Sequence, residues 1–421
     1  MSSIANSSLR DELRVSSFSM LPTEIISEIF VSCLPSYWQR CSTLDPTRAP
    51  MLLLRVCGQW RSIALSTPRL WAKINLEFAS FAQPFFDEGN LEKFLEESKV
   101  DGRLIPTILK QHATRVEELQ LIMDLDQYPK HTPSFLQLQK LELRFPVEYD
   151  DEDPKVVALK GNPIQIFATA SQLRQLHLDC VPPSLFAIRW ENLEEFIAFG
   201  ISSRDFVDAL RWSPSLVHCT LDSPYLDSDT AVISHPNLKS FKFSQYMMDE
   251  TIFRFLAFPA LENLNLYTES VDDVDLLQFI SRSSSSLLRL TSRLAVVPLE
   301  SLSDMIALTS LTLFAPSSEY LVEFFHLFDR TKHPTFLPQL EELALKNCPP
   351  FVNPLLGDAL SSRCTATQDR EAILRSFCQV WPNDLLVDSA YDHVDLEGRV
   401  PAAFDELMES GMHIYIGPYA T

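Results

Sequence analysis

The chain has 421 residues, 46% of them hydrophobic and 22% charged, a globular composition long enough for two or three domains and a large core. Lys and Arg total 35 against 56 Asp and Glu, a formal charge of −21, which argues against general binding to nucleic acid or anionic membranes, because phosphate neutralisation needs a cationic surface. Only nine residues are Gly, where average usage gives about 30, so glycine-dependent phosphate loops and tight βαβ turns are disfavoured.

Residues 1–19 are Ser-rich and are expected to be frayed. They lack the apolar stretch of a secretory signal, and no window approaches the ~18 apolar residues of a membrane span. The expectation is a soluble protein of the cytoplasm and/or nucleus. The eight cysteines, Cys33, Cys41, Cys57, Cys180, Cys219, Cys348, Cys364 and Cys378, form no C-x-x-C pair and no zinc-ligand spacing with His. They read as small hydrophobes in a reducing compartment.

From Leu21 a helical module begins. Pro22 suits a helix's first turn and Glu24 its positive end. Ile25, Ile26, Ile29, Phe30 and Leu34 make a broad apolar stripe at helical period, which Pro35 closes. After a polar connection, Pro50 opens a second run: Met51, Leu52, Leu53, Leu54, then Val56, Cys57, Trp60, Ile63, Ala64 and Leu65, stopped at Thr67-Pro68 and followed by Leu70-Trp71. So short a module cannot hide this many large apolar side chains within itself, so one face is expected to be covered by a partner or by the following domain.

Leu21-Pro22-x-Glu24-Ile25, Ile29-Phe30, Leu54-x-Val56-Cys57-x-x-Trp60-Arg61-x-Ile63-Ala64 and Pro68-x-Leu70-Trp71 together resemble an F-box, with wording similar to the F-box proteins of mushroom-forming fungi. The loop 36–49 is longer than in a minimal F-box. The resemblance implies docking on a Skp-type adaptor and, through it, a cullin. Carried over by motif, Leu21, Pro22, Ile25, Ile29 and Leu54 are the adaptor-contact residues, while Trp60, Ile63 and Trp71 serve either that contact or the module's own core. Such a protein is a non-catalytic substrate receptor of a Skp–cullin–F-box ubiquitin ligase. An adaptor-bound receptor or scaffold that recruits no ligase would carry the same residues.

From residue 116 one hexad recurs, Leu-x-x-apolar-x-apolar, with its central apolar residue at 119, 141, 176, 196, 219, 241, 264, 290, 311 and 343. The steps run from 20 to 35 residues. Most match the leucine-rich-repeat period, and the longer ones allow insertions. Alternation puts the apolar residues of each short strand inward, and stacked parallel strands share a core that no single unit makes alone. Pro214, Pro236, Pro259 and Pro338 each precede a leading Leu by two, where Pro removes no ladder donor. Cys348 occupies the Asn/Cys position of the repeat consensus, where Pro146, Pro224 and Pro316 stand in other copies.

Between strands, Ser202-x-x-Asp205 reads as a capping box before Phe206, Val207, Ala209 and Leu210. Helices are also expected over 272–281, carrying Val274, Leu277 and Ile280, and over 318–328, carrying Leu321, Phe324, Phe325 and Phe328. A last helix over 401–410 would turn Phe404, Leu407 and Met408 inward, with Gly411 as its C-cap and a strand over 412–416. Residues 360–395 carry no clear pattern.

The fold expected is therefore α/β: a three-helix F-box-like module over 20–75, linking helices over 76–110, and an irregular leucine-rich-repeat solenoid over 111–421, parallel strands inside and helices outside. No phosphate loop, HExxH, GxSxG or kinase signature occurs, so neither catalysis nor a metal or cofactor is expected. The acidic run Asp150–Asp153 reads as a solvated loop. The residues between the inward apolar ones would line the concave face and bind a protein substrate. They include His177, His218, Lys242, Asn265, Tyr267, Arg289, Phe314 and Lys346. Tyr267 and Phe314, flanked by Arg289 and Asn265, combine residue types enriched at binding hot spots.

Overall fold

Each apolar hexad forms one short strand, because alternation gives it one apolar and one polar face. A computed structural model describes residues 21–36, 42–43, 45–77, 112–125, 128, 134–146, 153–159, 161–226, 231–245, 252–268, 272–293, 297–348, 354–364, 373–381 and 404–418. The expectations for residues 1–19, for most of 76–110, and for Asp150–Glu152 lie outside the described residues. The chain divides into two compact units: Met1–Gln175 with Leu185–Arg189, and Leu176–Ser184 with Trp190–Thr421.

The first unit opens with α1 (Thr23–Ser32), α2 (Leu53–Val56) and α3 (Gly58–Ser66), then a 3₁₀ turn over Pro68–Trp71. Helix α1 ends three residues before Pro35, with the Cys33 N–H already bonded back to Ile29 and Phe30 and the Leu34 N–H to Val31. The second apolar run is two helices, because Cys57 is fully extended (φ −161°, ψ 171°). Its sulfur then accepts from the Trp60 N–H as the cap of α3. Ile26, Phe30, Leu53, Ile63, Ala64, Leu70 and Trp71 form one buried cluster, with Leu34, Leu54 and Trp60 packed against it. The Trp71 indole donates to the Ala64 carbonyl at 2.9 Å, and Thr67 Oγ1 donates to Ser27 Oγ at 3.0 Å, tying α3 to α1.

Strand β1 (Lys73–Glu77) follows directly and pairs in parallel with β2 (Glu118–Ile122), which pairs with β3 (Lys140–Arg144). The sheet therefore begins in residues assigned above to the helical module and linker. His112 stacks on Trp71 at 4.4 Å between centroids, and burial followed by the nearby Arg115 charge lowers its pKa. A short helix, α4 (Pro154–Leu159), is the last α-helix among the described residues of this unit.

The second unit is a parallel ladder in the order β4 (Gln175–Asp179), β5 (Glu195–Phe199), β6 (His218–Asp222), β8 (Ser240–Gln245), β10 (Asn263–Thr268), β11 (Arg289–Ser292), β12 (Ser310–Phe314), β13 (Glu342–Lys346), β14 (Ser376–Trp381) and β15 (His413–Pro418). Two residues each from β7 (Ile233–Ser234) and β9 (Leu256–Ala257) pair separately. All ten hexads are strands. Their central residues stack in register from Phe196 through Cys219, Phe241, Leu264, Leu290, Leu311 and Leu343 to Phe377. Several strands end on a left-handed residue, at Cys180, Ser223, Ala315 and Asn347 (φ 48–55°), and Gly200 (φ 61°) does the same after β5. There a Cβ would also meet Cys180 Sγ at 3.0 Å.

Helices α5 (Ser203–Trp212), α6 (Asp273–Ser283), α7 (Leu299–Ser303), α8 (Ser318–Phe328), α9 (Pro354–Ser361) and α10 (Asp405–Glu409) supply the other layer of the core. Ser202 caps α5 through the Asp205 N–H, as the capping box requires. Helix α6 turns Leu276, Phe279, Ile280 and Ser283 inward. Val274 is 58% exposed, because the core stripe follows the 276/279/280/283 spacing and not 274/277/280. Near the end, Phe404 and Leu407 are buried, but Met408 is exposed: only the face shared by 404 and 407 reaches the core. Gly411 has the positive φ of a C-cap, 98°.

Leu264 and Leu311 sit mid-ladder, 1% and 0% exposed. Changing either to Ala is expected to cost roughly 2–5 kcal/mol, the transfer term plus the cavity. Urea unfolding checks this, and a loss below about 1 kcal/mol would mean that these side chains are not core.

Candidate functional site

No group of three or more His, Cys, Asp or Glu among the described residues is placed to hold a metal. A cavity of about 280 Å³ in the first unit is lined by Glu118, Gln139, Lys140, Arg174 and Gln175, a polar hollow with no Ser, Thr, Cys or His in its lining. Burial raises the thiol pKa of Cys219, and that of Cys348 to about 11, so neither is a ready thiolate. Two surfaces stand out instead.

The first lies on α1. Residues four apart share a helix face. Ile26 and Phe30 are 1% and 0% exposed in the core, yet Leu21, Ile25 and Ile29 are 37%, 48% and 38% exposed. The stripe read from the sequence is thus two stripes, one inward and one facing water. Pro22 is exposed and precedes the helix as its N-cap residue rather than sitting within the first turn. Leu54 is half-buried against the core cluster. Trp71 and Ile63 belong to the core itself, and Trp60 packs on it beside Phe30, with ring centroids 4.9 Å apart. Leu52 and Val56 add further exposed apolar surface on and beside α2.

The second surface is the polar face of the ladder in the second unit. Lys242 Nζ lies 5.2 Å from the Tyr267 ring centroid. The Arg293 guanidinium lies 5.3 Å from Tyr267 and 5.1 Å from Phe314. Lys346 Nζ lies 5.6 Å from Phe314. Cation and aromatic ring thus alternate across β8, β10, the end of β11, β12 and β13, each cation over a ring face. The ladder register explains the row: Ser292 lies between Leu266 and Leu313, so the next residues, Tyr267, Arg293 and Phe314, come level. Phe314 is paired with Lys346 directly.

Of the residues singled out in the sequence, Lys242, Asn265, Tyr267, Phe314 and Lys346 are brought together here, with Asn265 half-buried beside Lys242 in the register. Arg289 is not between the rings. It stands at the start of β11, four residues earlier, and donates to Asn263 Oδ1 at 3.3 Å. Its place is taken by Arg293, because side chains on one strand face recur every second residue and only 293 reaches the row of 267 and 314. His177 and His218 sit apart on β4 and β6, half-buried and exposed. Counting would have found Arg293: Tyr267, Arg293, Phe314 and Lys346 each lie three residues after a central apolar residue, 264, 290, 311 and 343.

No protein-family model matches the chain, and no curated protein matches it. Among solved structures it is similar to an internalin (inlF) from Listeria monocytogenes, at 14% identity and a TM-score of 0.30. That match covers 60% of this chain and 61% of the internalin chain, so the chain spans about three-fifths of the length of the protein it is similar to.

Proposed function

We propose that the protein is the substrate-recognition subunit of a Skp–cullin–F-box ubiquitin ligase, an adaptor-docking helical module joined to a protein-binding leucine-rich repeat. The observation that carries this reading is the second apolar stripe of α1. Ile25 and Ile29 face water on a helix whose other side is packed into the core, and Leu21, two residues ahead of that helix, is exposed as well. Keeping three large apolar side chains in water is unfavourable unless a partner covers them. They coincide with the Leu-Pro-x-Glu-Ile and Ile-Phe positions of the F-box-like motif. The chain makes no bond in this role. It holds a substrate near a distant transferase, and the gain is in effective concentration and orientation.

The experiment is co-purification of Leu21→Asp with a Skp-type adaptor and a cullin. At a docked interface the change buries an unpaired carboxylate, and the expected loss of adaptor affinity is roughly 3–5 kcal/mol. In the free protein Leu21 is exposed, so the variant is expected to melt as the parent does. Undiminished adaptor capture would sink the reading. Capture of the adaptor without cullin would make the protein a receptor or scaffold that recruits no ligase.

A further inference from the structure

Lys242, Arg293 and Lys346 share the polar face of five neighbouring strands with Tyr267 and Phe314. The same face is otherwise filled there by Ser, Asn, Thr and Ala: Ser244, Asn265, Thr291, Thr312 and Ala344. The one carboxylate that faces outward from these strands among the described residues is Glu342, at the start of β13, four residues before Lys346. Acids nearer the strand starts are paired with local cations, Glu262 with Lys239 at 2.9 Å and Glu341 with Arg375 at 3.5 Å. Neither Lys242, Arg293 nor Lys346 has an ion-pair partner among the described residues. In a chain of net charge −21, three cations gathered on one face without acids between them are a local reversal of sign.

Their spacing is regular. Lys242 is on β8, Arg293 at the end of β11 and Lys346 on β13, so successive cations are two strands apart in the order β8, β10, β11, β12, β13. Neighbouring strands are about 4.8 Å apart, which puts Arg293 and Lys346 about 10 Å apart, while Lys242, level with Asn265 two residues before Tyr267, lies about 12 Å from Arg293. A peptide in the extended polyproline II conformation advances about 3.1 Å per residue and returns to the same face every third residue, so a carboxylate at every third residue matches that interval. The rings between the cations offer apolar faces to the residues between the carboxylates.

We propose that this row is the docking site for an extended acidic segment of a protein partner, with Asp or Glu at every third residue and its carboxylates on Lys242, Arg293 and Lys346. The proposal rests on the reading of the ladder face as the substrate surface. Arg293 is the central contact, since of the three cations it alone is flanked by two rings and its planar fork donates to a carboxylate bidentately. Aromatic rings with interleaved cations also suit single-stranded nucleic acid, but three cations do not offset the repulsion between a −21 chain and a polyanion.

The test uses the full chain and three acetylated, amidated peptides: Glu-Thr-Thr-Glu-Thr-Thr-Glu, the same residues with the three Glu adjacent, and the spaced peptide with Gln for Glu. Binding is followed by fluorescence anisotropy at low and moderate salt, with a thymidine oligonucleotide as a fourth probe. The spaced Glu peptide is expected to bind best, with affinity falling as salt rises. Arg293→Gln is expected to weaken it about tenfold, as the loss of one charge-assisted contact does. Lys242→Gln is expected to weaken it less. Arg293 is exposed, and a thermal melt of each variant confirms the fold. Equal binding of the Gln peptide, no preference for the spaced arrangement, an unchanged Arg293→Gln variant, absence of peptide binding, or tighter binding of the oligonucleotide would each overturn the proposal. Adaptor capture by the same preparation is scored separately. Its failure strikes the ligase reading, whereas failure of the peptide arm with capture intact strikes only this one.

Discussion

Replacing Arg363 by Met is expected to destabilise the second unit by about 4–5 kcal/mol, the scale of losing a buried ionic group with its hydrogen bonds. Arg363 is fully buried. Its Nε donates to the Phe328 carbonyl at 2.9 Å, Nη1 to Leu337 at 2.7 Å and Nη2 to Phe336 at 2.6 Å. The guanidinium also lies 4.1 Å from the Phe328 ring centroid. Phe328 ends α8, so the arginine serves a helix-terminal carbonyl that has no intrahelical donor, at the negative end of the helix dipole. Met fills much of the volume but donates nothing, leaving these carbonyls short of a buried partner. Lys at 363 keeps the charge on a single point donor and is expected to recover less than half of the loss. Urea unfolding together with hydrogen exchange over α8 and β13 measures both. A loss under about 1.5 kcal/mol for the Met variant would show that the carbonyls find other donors. Arg282 repeats the device in milder form: half-buried, it donates to the carbonyls of Leu256, Phe253 and Arg254.

Phe241→Ala is expected to cost about 4–5 kcal/mol, against under about 2 kcal/mol for Phe241→Leu. The Phe241 side chain has no exposure, and its ring centroid lies 5.2 Å from Phe258, 6.3 Å from Phe243, and 6.4 Å from both Phe206 and Phe279. Those partners come from α5, β8, the turn after β9 and α6, so the Ala cavity opens where strand, helix and turn all meet. The rings cannot collapse into it together without breaking their tilted and edge contacts, which adds to the transfer term. Phe199 is the control. It faces outward at 39% exposure, and its Ala variant is expected to stay within about 0.5 kcal/mol. A Phe241→Ala loss no larger than that of Phe199→Ala would place the aromatic cluster outside the stabilising core.

Some of the architecture was legible because its signal is local. A hexad with apolar residues at positions one, four and six can bury them only as a strand, and all ten such hexads are strands. Capping works the same way: Ser202 and Asp205 mark the start of α5 through one side-chain bond. Two strands were hidden by single substitutions in the pattern. In β1 the leading position is Trp71, ahead of Ile74 and Leu76, and the hexad overlaps the end of the helical module. In β14 the sixth position after Leu374 and Phe377 is Gln379, a polar residue that is nevertheless 1% exposed beside Cys348. A buried amide with a local partner reads as surface in any pattern that sorts residues by polarity.

The sequence by itself determined the positions of the ten hexad strands, the polar face of each of them, most helix locations and the residues of the F-box-like motif, since period and turn chemistry act within a few residues. Only tertiary structure decided which apolar stripe of α1 is covered, because Ile25 and Ile26 are equally hydrophobic and only the packing of α3 and Trp71 separates them. Tertiary structure likewise chose Arg293 over Arg289. Both are arginines of one strand region with the same chemistry. Register with β10 and β12 sets one between two aromatic rings and leaves the other at the strand's start, and register is a relation between segments more than 20 residues apart.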